Sequence, residues 1–365
     1  MQRRHFLKLS GASVGGAIAL SSVPLSLLAG NDRDMRWASY ISQQAIPSQL
    51  DTWFMEEIKR RSEGAIDFSQ YWSASLHGVG DHLPAVRDNR SQMSLISPGY
   101  YEASMPATRG LEWYYRMSQA DAMQLVCRDV YENFAPLRQE WEERHGAKVL
   151  YWTNWYHAPL VTREPINSIE DLRGKRIRAY GVMNDTIERL GGSPVPMAAP
   201  EVYTSLERGV IDGAAGFEFV TAVSYQLHEI APHFTDMGDG PHAPAATVMS
   251  MREWEQLPEE VQSLFDEVAA DLYERKLAEI YQPAAEEAVE TALEDGAEFA
   301  TWSEEEKERA RDIVQPDQVE QWKTEVAEPN GIDGDAMQDV VREAIDRHDG
   351  QGDLKTPYEI YQARG

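Results

Sequence analysis

The sequence has one cysteine, few lysines and no long apolar run after its first 29 residues. Cys127 has no partner within the chain, so intramolecular disulfides are excluded. Only eight of the 34 basic residues are lysines, and 61 acidic residues give a formal net charge of −27. A surface this acidic repels phosphate, which argues against nucleic acid and acidic membrane surfaces as partners. After residue 29 the chain also lacks the roughly 18 apolar residues that a membrane-spanning helix needs.

What remains is the composition of a folded protein. The chain has 365 residues, of which 42% are hydrophobic, and at about 150 residues per domain this length predicts about two domains. Abundant carboxylates with few lysines predict a protein adapted to an environment where salt screens its self-repulsion. The alternative is the solvated acidic surface of an ordinary exported protein.

Residues 1–29 predict an export signal. The basic segment Gln2–Lys8 contains adjacent arginines followed by Phe-Leu-Lys, and a weakly polar run rich in Gly, Ala, Ser and Leu follows to Ala29. This pattern resembles a twin-arginine signal. A membrane anchor is the alternative, but Gly15, Gly16 and Pro24 weaken a spanning helix. We therefore expect a cleaved, periplasmic protein.

The remaining chain predicts an α/β protein with two lobes. Strands at Met35–Ile41, Ile66–Trp72 and Met93–Ser97 alternate with helices, and a second unit repeats this order from Lys148 to Gly216. Such alternation predicts parallel sheets, with ligands at the carboxyl ends of the strands. From Pro258 to about Leu293, helical spacing predicts one long helix that reaches across both lobes. The predicted boundaries are 31–154 plus about 243–282 for lobe I, 155–242 plus about 283–330 for lobe II, and 331–365 for a C-terminal helical extension and tail.

Motifs for catalysis are missing. The sequence has no G-x-S-x-G elbow, no Walker lysine loop and no dinucleotide glycine fingerprint. His228 and His233 are five residues apart with Pro232 between them, which is not zincin spacing. Cys127 is expected to be a buried small hydrophobe. We predict no enzyme, no metal and no cofactor; an exported hydrolase stays open as an alternative.

Two ordered segments carry a family resemblance. Ser168–Arg178 reads SIEDLRGKRIR and Pro200–Gly213 reads PEVYTSLERGVIDG. Together they resemble the solute-binding proteins of tripartite ATP-independent periplasmic (TRAP) transporters, of the DctP type. The resemblance implies a two-lobed, periplasmic-binding-protein-like fold that closes by a hinge and hands a small solute to the transporter's membrane subunits. We expect a monomer.

Arg178 matches the arginine that usually forks the ligand carboxylate in this family. A guanidinium donates two parallel hydrogen bonds to a carboxylate, which lysine cannot reproduce. The alternative without the motif is a surface arginine. The resemblance therefore implies that Arg178 binds a small carboxylate or zwitterionic solute between the lobes.

Other positions depart from the family pattern. Trp155 stands where receptors for large acidic sugars often have glycine, and His157 where they often have arginine, which predicts a smaller pocket with one fixed charge fewer. After Gly213 the usual Gln-Glu-Asn is replaced by Ala-Ala-Gly, ending at Gly216. Phe217 and Glu218 suggest an alternative, a small-amine receptor that uses an ion pair and cation–π attraction. The equally open interpretation is that Phe217 and Phe219 belong to the core and that Glu218 is a solvated acid.

Aromatic residues of the first lobe are the remaining candidates. Tyr40, Trp72 and Tyr100 lie at or just after predicted strand ends, where they form apolar walls for a small ligand. Each is also a good core residue, since large aromatics dominate cores. Trp37, Tyr101 and His242 are weaker candidates.

Overall fold

The computed structural model describes residues 33–364. The predicted export signal at residues 1–29 lies outside them. Across the described part of the chain, every helix is too short or too polar to cross a membrane.

Five strands form the first sheet. They are β1 Arg33–Ala38, β2 Ile66–Tyr71, β3 Met93–Ile96, β4 Ala147–Asn154 and β10 Pro244–Ser250, in the order β2-β1-β3-β10-β4. β1 is parallel to β2 and β3, but β10 is antiparallel to both β3 and β4. The prediction of purely parallel sheets is therefore wrong for this lobe. The reason is that β10 enters directly from the other sheet, without the helical crossover that a parallel neighbour requires.

The second sheet has six strands. They are β5 Leu160–Thr162, β6 Arg176–Ala179, β7 Ser193–Pro196, β8 Gly213–Ala214, β9 His233–Asp236 and β11 Glu298–Thr301, in the order β11-β9-β5-β8-β6-β7. β6 is parallel to β7 and β8, whereas β5 is antiparallel to β8 and β9. This sheet is mixed as well. Its β6 has a neighbour on both sides, and its carboxyl end faces the first lobe.

Thirteen α-helices in residues 33–364 cover the sheets. They are α1 Ile46–Arg61, α2 His82–Arg87, α3 Ala122–Asn133, α4 Ala135–Gln139, α5 Met183–Arg189, α6 Val202–Glu207, α7 Phe219–Ser224, α8 Met251–Trp254, α9 Glu259–Asp271, α10 Leu277–Glu294, α11 Glu304–Gln321, α12 Gly334–His348 and α13 Pro357–Gln362. Short 3-10 or π turns extend several of them. A separate 3-10 turn at Ile169–Leu172, between β5 and β6, begins with a capping box between Ser168 and Asp171, which accounts for the first and last residues of the Ser-Ile-Glu-Asp sequence.

α9 and α10 form the long helix that the sequence predicts. A π turn at Leu272–Lys276 joins them without a break. α9 packs on α1 of the first lobe, with the rings of Phe54 and Phe265 6.0 Å apart, and α10 packs on α7 of the second. The helix therefore connects the two lobes along one side.

The C-terminal segments belong to the packed structure. α12 lies on α3, where Met337 and Val341 join a buried cluster that includes Cys127. Burial raises the pKa of the Cys127 thiol, as expected for a small hydrophobe rather than a nucleophile. The predicted polar tail contains α13, which packs on α10 through buried Tyr358 and Ile360.

Candidate functional site

β6 carries two arginines that face the same side of the sheet from opposite ends of the strand. Arg176, at the start, is half-exposed and pairs with Asp212 at 2.7 Å. Arg178, at the carboxyl end, is only 1% exposed. Because β6 lies inside the sheet, its carboxyl end points between the lobes, and the side chain of Arg178 is enclosed there.

The Arg178 guanidinium is held by neutral acceptors. Nε donates to the Met197 carbonyl at 3.1 Å, Nη1 to the Ala215 carbonyl at 2.9 Å and Nη2 to the Tyr100 hydroxyl at 3.0 Å. An arginine has five N–H donors, and these bonds use one on each nitrogen. One N–H on Nη1 and one on Nη2 remain, so the guanidinium still has two donors for the oxygens of a carboxylate.

Two aromatic rings cover the same guanidinium. Its central carbon lies 4.7 Å from the centre of the Tyr180 ring and 4.9 Å from that of Phe217. No Asp or Glu in residues 33–364 comes within 4.0 Å of its nitrogen atoms. Arg178 is therefore a buried cation, stabilised by rings and carbonyls but without a counter-charge from the described chain.

The first lobe adds an aromatic wall. The ring of Tyr100 stacks on that of Tyr180 at 4.7 Å, and Tyr40 meets Tyr100 edge-on at 5.4 Å. Trp155 lies 6.5 Å from Tyr40. The Tyr40 hydroxyl and the Trp155 indole N–H are buried without a hydrogen-bond partner in the described residues. Burial raises the pKa of Tyr40 well above its usual value, so the hydroxyl is a donor at neutral pH.

The lobes touch beside this wall. A Cβ added to Gly99 of the first lobe would lie 2.8 Å from the Tyr180 ring of the second, and only 3.4 Å from the Gly181 Cα. The Ser97 hydroxyl donates to the Tyr180 hydroxyl at 3.4 Å. Glycine at position 99 therefore permits a close approach that any side chain would prevent.

Glu218, the candidate ammonium ligand, caps a helix in this structure. It is fully buried at the N-terminus of α7, where its carboxylate accepts from the backbone N–H groups of Val220 and Thr221 and from the Thr221 hydroxyl, each within 2.9 Å. Burial raises the pKa of Glu218 to about 7, although these hydrogen bonds lower it. Its neighbour Phe217 does reach the site, over Arg178.

The other predicted residues occupy different places. Gly216, with a φ of +77°, is needed because a Cβ would collide with Met183. The partly buried His157 ring contacts Tyr358 at 5.1 Å; desolvation lowers its pKa, and its buried Nε2 has no partner in the described chain. Trp72 packs on Trp37 at 5.9 Å. These residues do not contact the Arg178 guanidinium through any hydrogen bond or ring contact in residues 33–364.

The weaker candidates are structural here. His242 stacks on Tyr114 at 3.9 Å, and burial lowers its pKa to about 4. His228 bonds Asp295 at 3.0 Å. Nowhere in residues 33–364 do three His, Cys, Asp or Glu side chains gather as a metal site.

Sequence reasoning missed Tyr180. It follows Arg178 by two residues at the end of β6, so strand alternation places both side chains on one face. That signal was available.

Comparisons with known proteins agree with this geometry. The model of the DctP family, described as bacterial extracellular solute-binding protein, family 7, matches residues 42–325. A solute-binding protein from Chromohalobacter salexigens is 26% identical over 284 residues, which cover 74% of this chain and 80% of that protein.

Solved structures share the fold. A TRAP solute-binding protein from Rhodoferax ferrireducens T118, in complex with copurified benzoate, superposes with a TM-score of 0.78 at 19% identity, covering 87% of this chain and 98% of that one. A second from Chromohalobacter salexigens, with bound D-glucuronate, gives 0.74 at 20% identity, covering 85% and 99%. The predicted two-lobed binding-protein fold is confirmed.

Proposed function

The chain belongs to the bacterial extracellular solute-binding proteins of family 7, and on that premise we propose that it captures a small carboxylate or zwitterion between its lobes and delivers it to the membrane subunits of a TRAP transporter. The family consists of solute-binding proteins rather than enzymes, as the missing motifs predicted. Periplasmic location after export of the folded chain is part of this proposal.

The observation that carries the proposal is the buried, unpaired guanidinium of Arg178. A desolvated charge is costly unless it is paired. Three neutral hydrogen bonds and two rings offset part of that cost, and two N–H donors on Nη1 and Nη2 remain. A ligand carboxylate would supply both the counter-charge and the two acceptors.

The surroundings of Arg178 favour a ligand with a flat or compact apolar body. Tyr100, Tyr180 and Phe217 contact the guanidinium, and Tyr40 and Trp155 extend the same wall. Such a surface desolvates an apolar face well, whereas a sugar acid needs many hydrogen-bond partners. The unpartnered donors of Tyr40 and Trp155 would serve one additional acceptor of the ligand. Benzoate, the ligand of the Rhodoferax ferrireducens protein, has such a flat apolar body, whereas D-glucuronate, the ligand of the Chromohalobacter salexigens protein, is a sugar acid.

The alternative, a receptor for a small amine, depends on Glu218. In this structure that carboxylate accepts three hydrogen bonds from the first turn of α7. Binding an ammonium there would require it to leave the helix cap or to share those acceptors. The carboxylate hypothesis requires no such rearrangement, because the donors of Arg178 are already free.

Calorimetry on the purified protein tests the proposal. We expect saturable binding of one or more members of a panel of benzoate, hydroxybenzoates, short aliphatic acids, amino acids and betaines, with D-glucuronate weaker. Arg178→Lys keeps the charge but removes the fork, so the affinity for the best acid should fall at least tenfold. Binding of amines alone, or an unchanged affinity in Arg178→Lys, would overturn the carboxylate proposal. Uptake of the bound acid by cells that express the membrane subunits, with and without this protein, tests delivery.

A further inference from the structure

A second cavity lies where the lobes meet, on the other side of the Tyr180–Gly181 peptide. It has a volume of about 390 Å³. Glu102, Arg109 and Glu112 line it from the first lobe, Asn184 and Asp185 from the second, and α11 closes it with Gln318 and, in the turn that follows, Glu325. The cavity is therefore distinct from the Arg178 site, whose guanidinium contacts Tyr180, Tyr100 and Phe217.

When Glu112 is ionised, the buried unpaired side-chain atoms of this cavity are all acceptors. Glu112 and Gln318 are each only 3% exposed, and Oε2 of Glu112 and Oε1 of Gln318 have no partner in the described residues. The buried Oδ1 of Asn184 is also unpartnered. Each is an oxygen without a donor, which is costly inside a protein.

The orientation of the two amides is fixed by their neighbours. Nε2 of Gln318 donates to the Asp185 carboxylate at 3.1 Å and to the Thr186 hydroxyl at 2.7 Å. Nδ2 of Asn184 donates to the Gly181 carbonyl at 3.1 Å. A carboxylate and a carbonyl only accept, so neither amide can be turned round without losing these bonds. Both amide oxygens must therefore face away from those partners.

The charges of the cavity have the same preference. Four carboxyl groups and one guanidinium line the cavity, those of Glu102, Glu112, Asp185, Glu325 and Arg109. Asp185 is already paired with Arg189 at 2.7 Å, which leaves three carboxyl groups against Arg109. The two indoles that line it, Trp113 and Trp322, add no donors, because their N–H groups already donate to the carbonyls of Gly110 and Pro106. An occupant that brings positive charge and hydrogen-bond donors would satisfy both the buried oxygens and the excess of carboxyl groups.

We propose that this cavity binds a small organic cation that carries N–H donors, such as a primary alkylammonium ion. A volume of about 390 Å³ far exceeds that of one water molecule, whose share of the liquid is about 30 Å³, and suits a molecule of several heavy atoms. An ammonium group offers three donors, which matches the oxygens of Glu112, Asn184 and Gln318. The tryptophans supply surface for its apolar part.

The test uses one pair of probes with opposite donor content. Propylammonium and propyltrimethylammonium carry the same charge, but only the first has N–H donors. Each is titrated into the full protein by calorimetry at constant ionic strength, adjusted with sodium chloride. We expect saturable binding of propylammonium and at least tenfold weaker binding of the quaternary ion.

A matched set of variants assigns the site. Glu112→Gln should weaken the binding of propylammonium at least tenfold. Glu102→Gln should weaken it less, and this variant tests the site if the buried Glu112→Gln does not fold. Glu287→Gln removes one exposed acid from α10 and should leave the affinity unchanged. Because burial raises the pKa of Glu112 to about 8, binding at pH 7 should also release a proton, measured by repeating the titration in buffers of different ionisation enthalpy.

Three results would overturn the proposal. These are no saturable binding of propylammonium, equal binding of the two cations, and undiminished binding in both Glu112→Gln and Glu102→Gln. Calcium or sodium binding that excludes propylammonium would show a site for a metal cation instead.

Discussion

The Arg178 site and the Glu112 cavity are adjacent, but their unpaired groups are of opposite kinds. Around Arg178, N–H and O–H donors lack hydrogen-bond partners. Around Glu112, the atoms that lack partners are carboxylate and amide oxygens. Both regions are built from the two lobes of a chain whose formal net charge is −27. Net charge therefore does not set the preference of a buried site. The local balance of donors and acceptors sets it, since desolvation makes each unpaired group costly.

The two arginines of β6 show the same principle at closer range. Arg176 pairs with Asp212 near solvent, where an ion pair contributes about 0 to 1 kcal/mol. Arg178, two residues later, is enclosed without a carboxylate. The two arginines lie on one strand, but only Arg178 is buried without a carboxylate partner in the described residues, which is what the proposed ligand contact requires.

The largest effect should come from removing the donor of the cleft. Arg178→Gln should weaken binding of the best carboxylate ligand by about thirtyfold or more, because losing a forked, desolvated pair costs about 2 to 5 kcal/mol. Arg176→Gln is the matched control on the same strand and should change the affinity less than twofold. Calorimetry measures both. Similar losses in the two variants would mean that the charge of the lobe, rather than the buried fork, attracts the ligand.

The contact between the lobes should have the next largest effect. In Gly99→Ala, the added Cβ meets the Tyr180 ring at 2.8 Å, so it should hold the lobes apart and weaken the carboxylate ligand about tenfold. Each lobe keeps its own core, so the melting temperature without ligand should hardly change. Gly80→Ala, whose Cβ would have no neighbour within 4 Å, is the control.

Small-angle scattering checks the mechanism of that loss. Ligand should reduce the radius of gyration of the unsubstituted protein, as hinge closure requires, and should reduce it less in Gly99→Ala. Identical curves with and without saturating ligand would remove the hinge from the proposal.

The Glu112 cavity should show a smaller effect, which depends on pH. Burial raises the pKa of Glu112 to about 8 from an ordinary value near 4.5, and nearby Glu102 and Glu140 raise it further while Arg109 lowers it. The stability from neutral Glu112 is thus fully present below about pH 4.5 and is lost as the pH rises through 8.

Glu112→Gln has no such titration. Its melting temperature should match that of the unsubstituted protein at pH 5 and exceed it by a few degrees at pH 8. Propylammonium at pH 8 should close that gap by pairing with the ionised carboxylate. A difference that is the same at both pH values would show that Glu112 contributes packing alone.

The sequence predicted those parts of the site that local patterns encode. Arg178 was found because it ends a recognisable motif, and Tyr180 was within reach of strand alternation. Glu218 was not resolved, since alternation gives a buried face but cannot show that a carboxylate caps its own helix. The cavity could not be predicted at all: Glu112 and Gln318 are 206 residues apart and meet only when α11 crosses both lobes.

The same limit explains the fold. Periodicity predicted the long helix from Pro258, because Val261, Leu264 and Phe265 recur on one face. It could not give the direction of β10, which depends on where the chain returns from the second sheet. The direction of a strand depends on the topology of the whole sheet, whereas the buried face of an element follows from its local sequence pattern.

The smallest effect should be that of salt, and it separates surface from interior. Many ion pairs are exposed, such as that of Arg309 with Glu170, and the excess of acids repels itself across the surface. Mobile ions screen such charges beyond about 10 Å at 0.1 M salt, so the melting temperature should rise by a few degrees between low and molar sodium chloride. A buried pair between a ligand and Arg178 is screened much less. Over the same salt range, the dissociation constant of the carboxylate ligand should therefore change less than it would if the ligand bound at the surface. Choline chloride at equal ionic strength has no N–H donor and should raise the melting temperature as much as sodium chloride does. A melting temperature that stays constant in both salts would contradict salt adaptation. A rise in sodium chloride alone would point to sodium bound at a specific site rather than to screening.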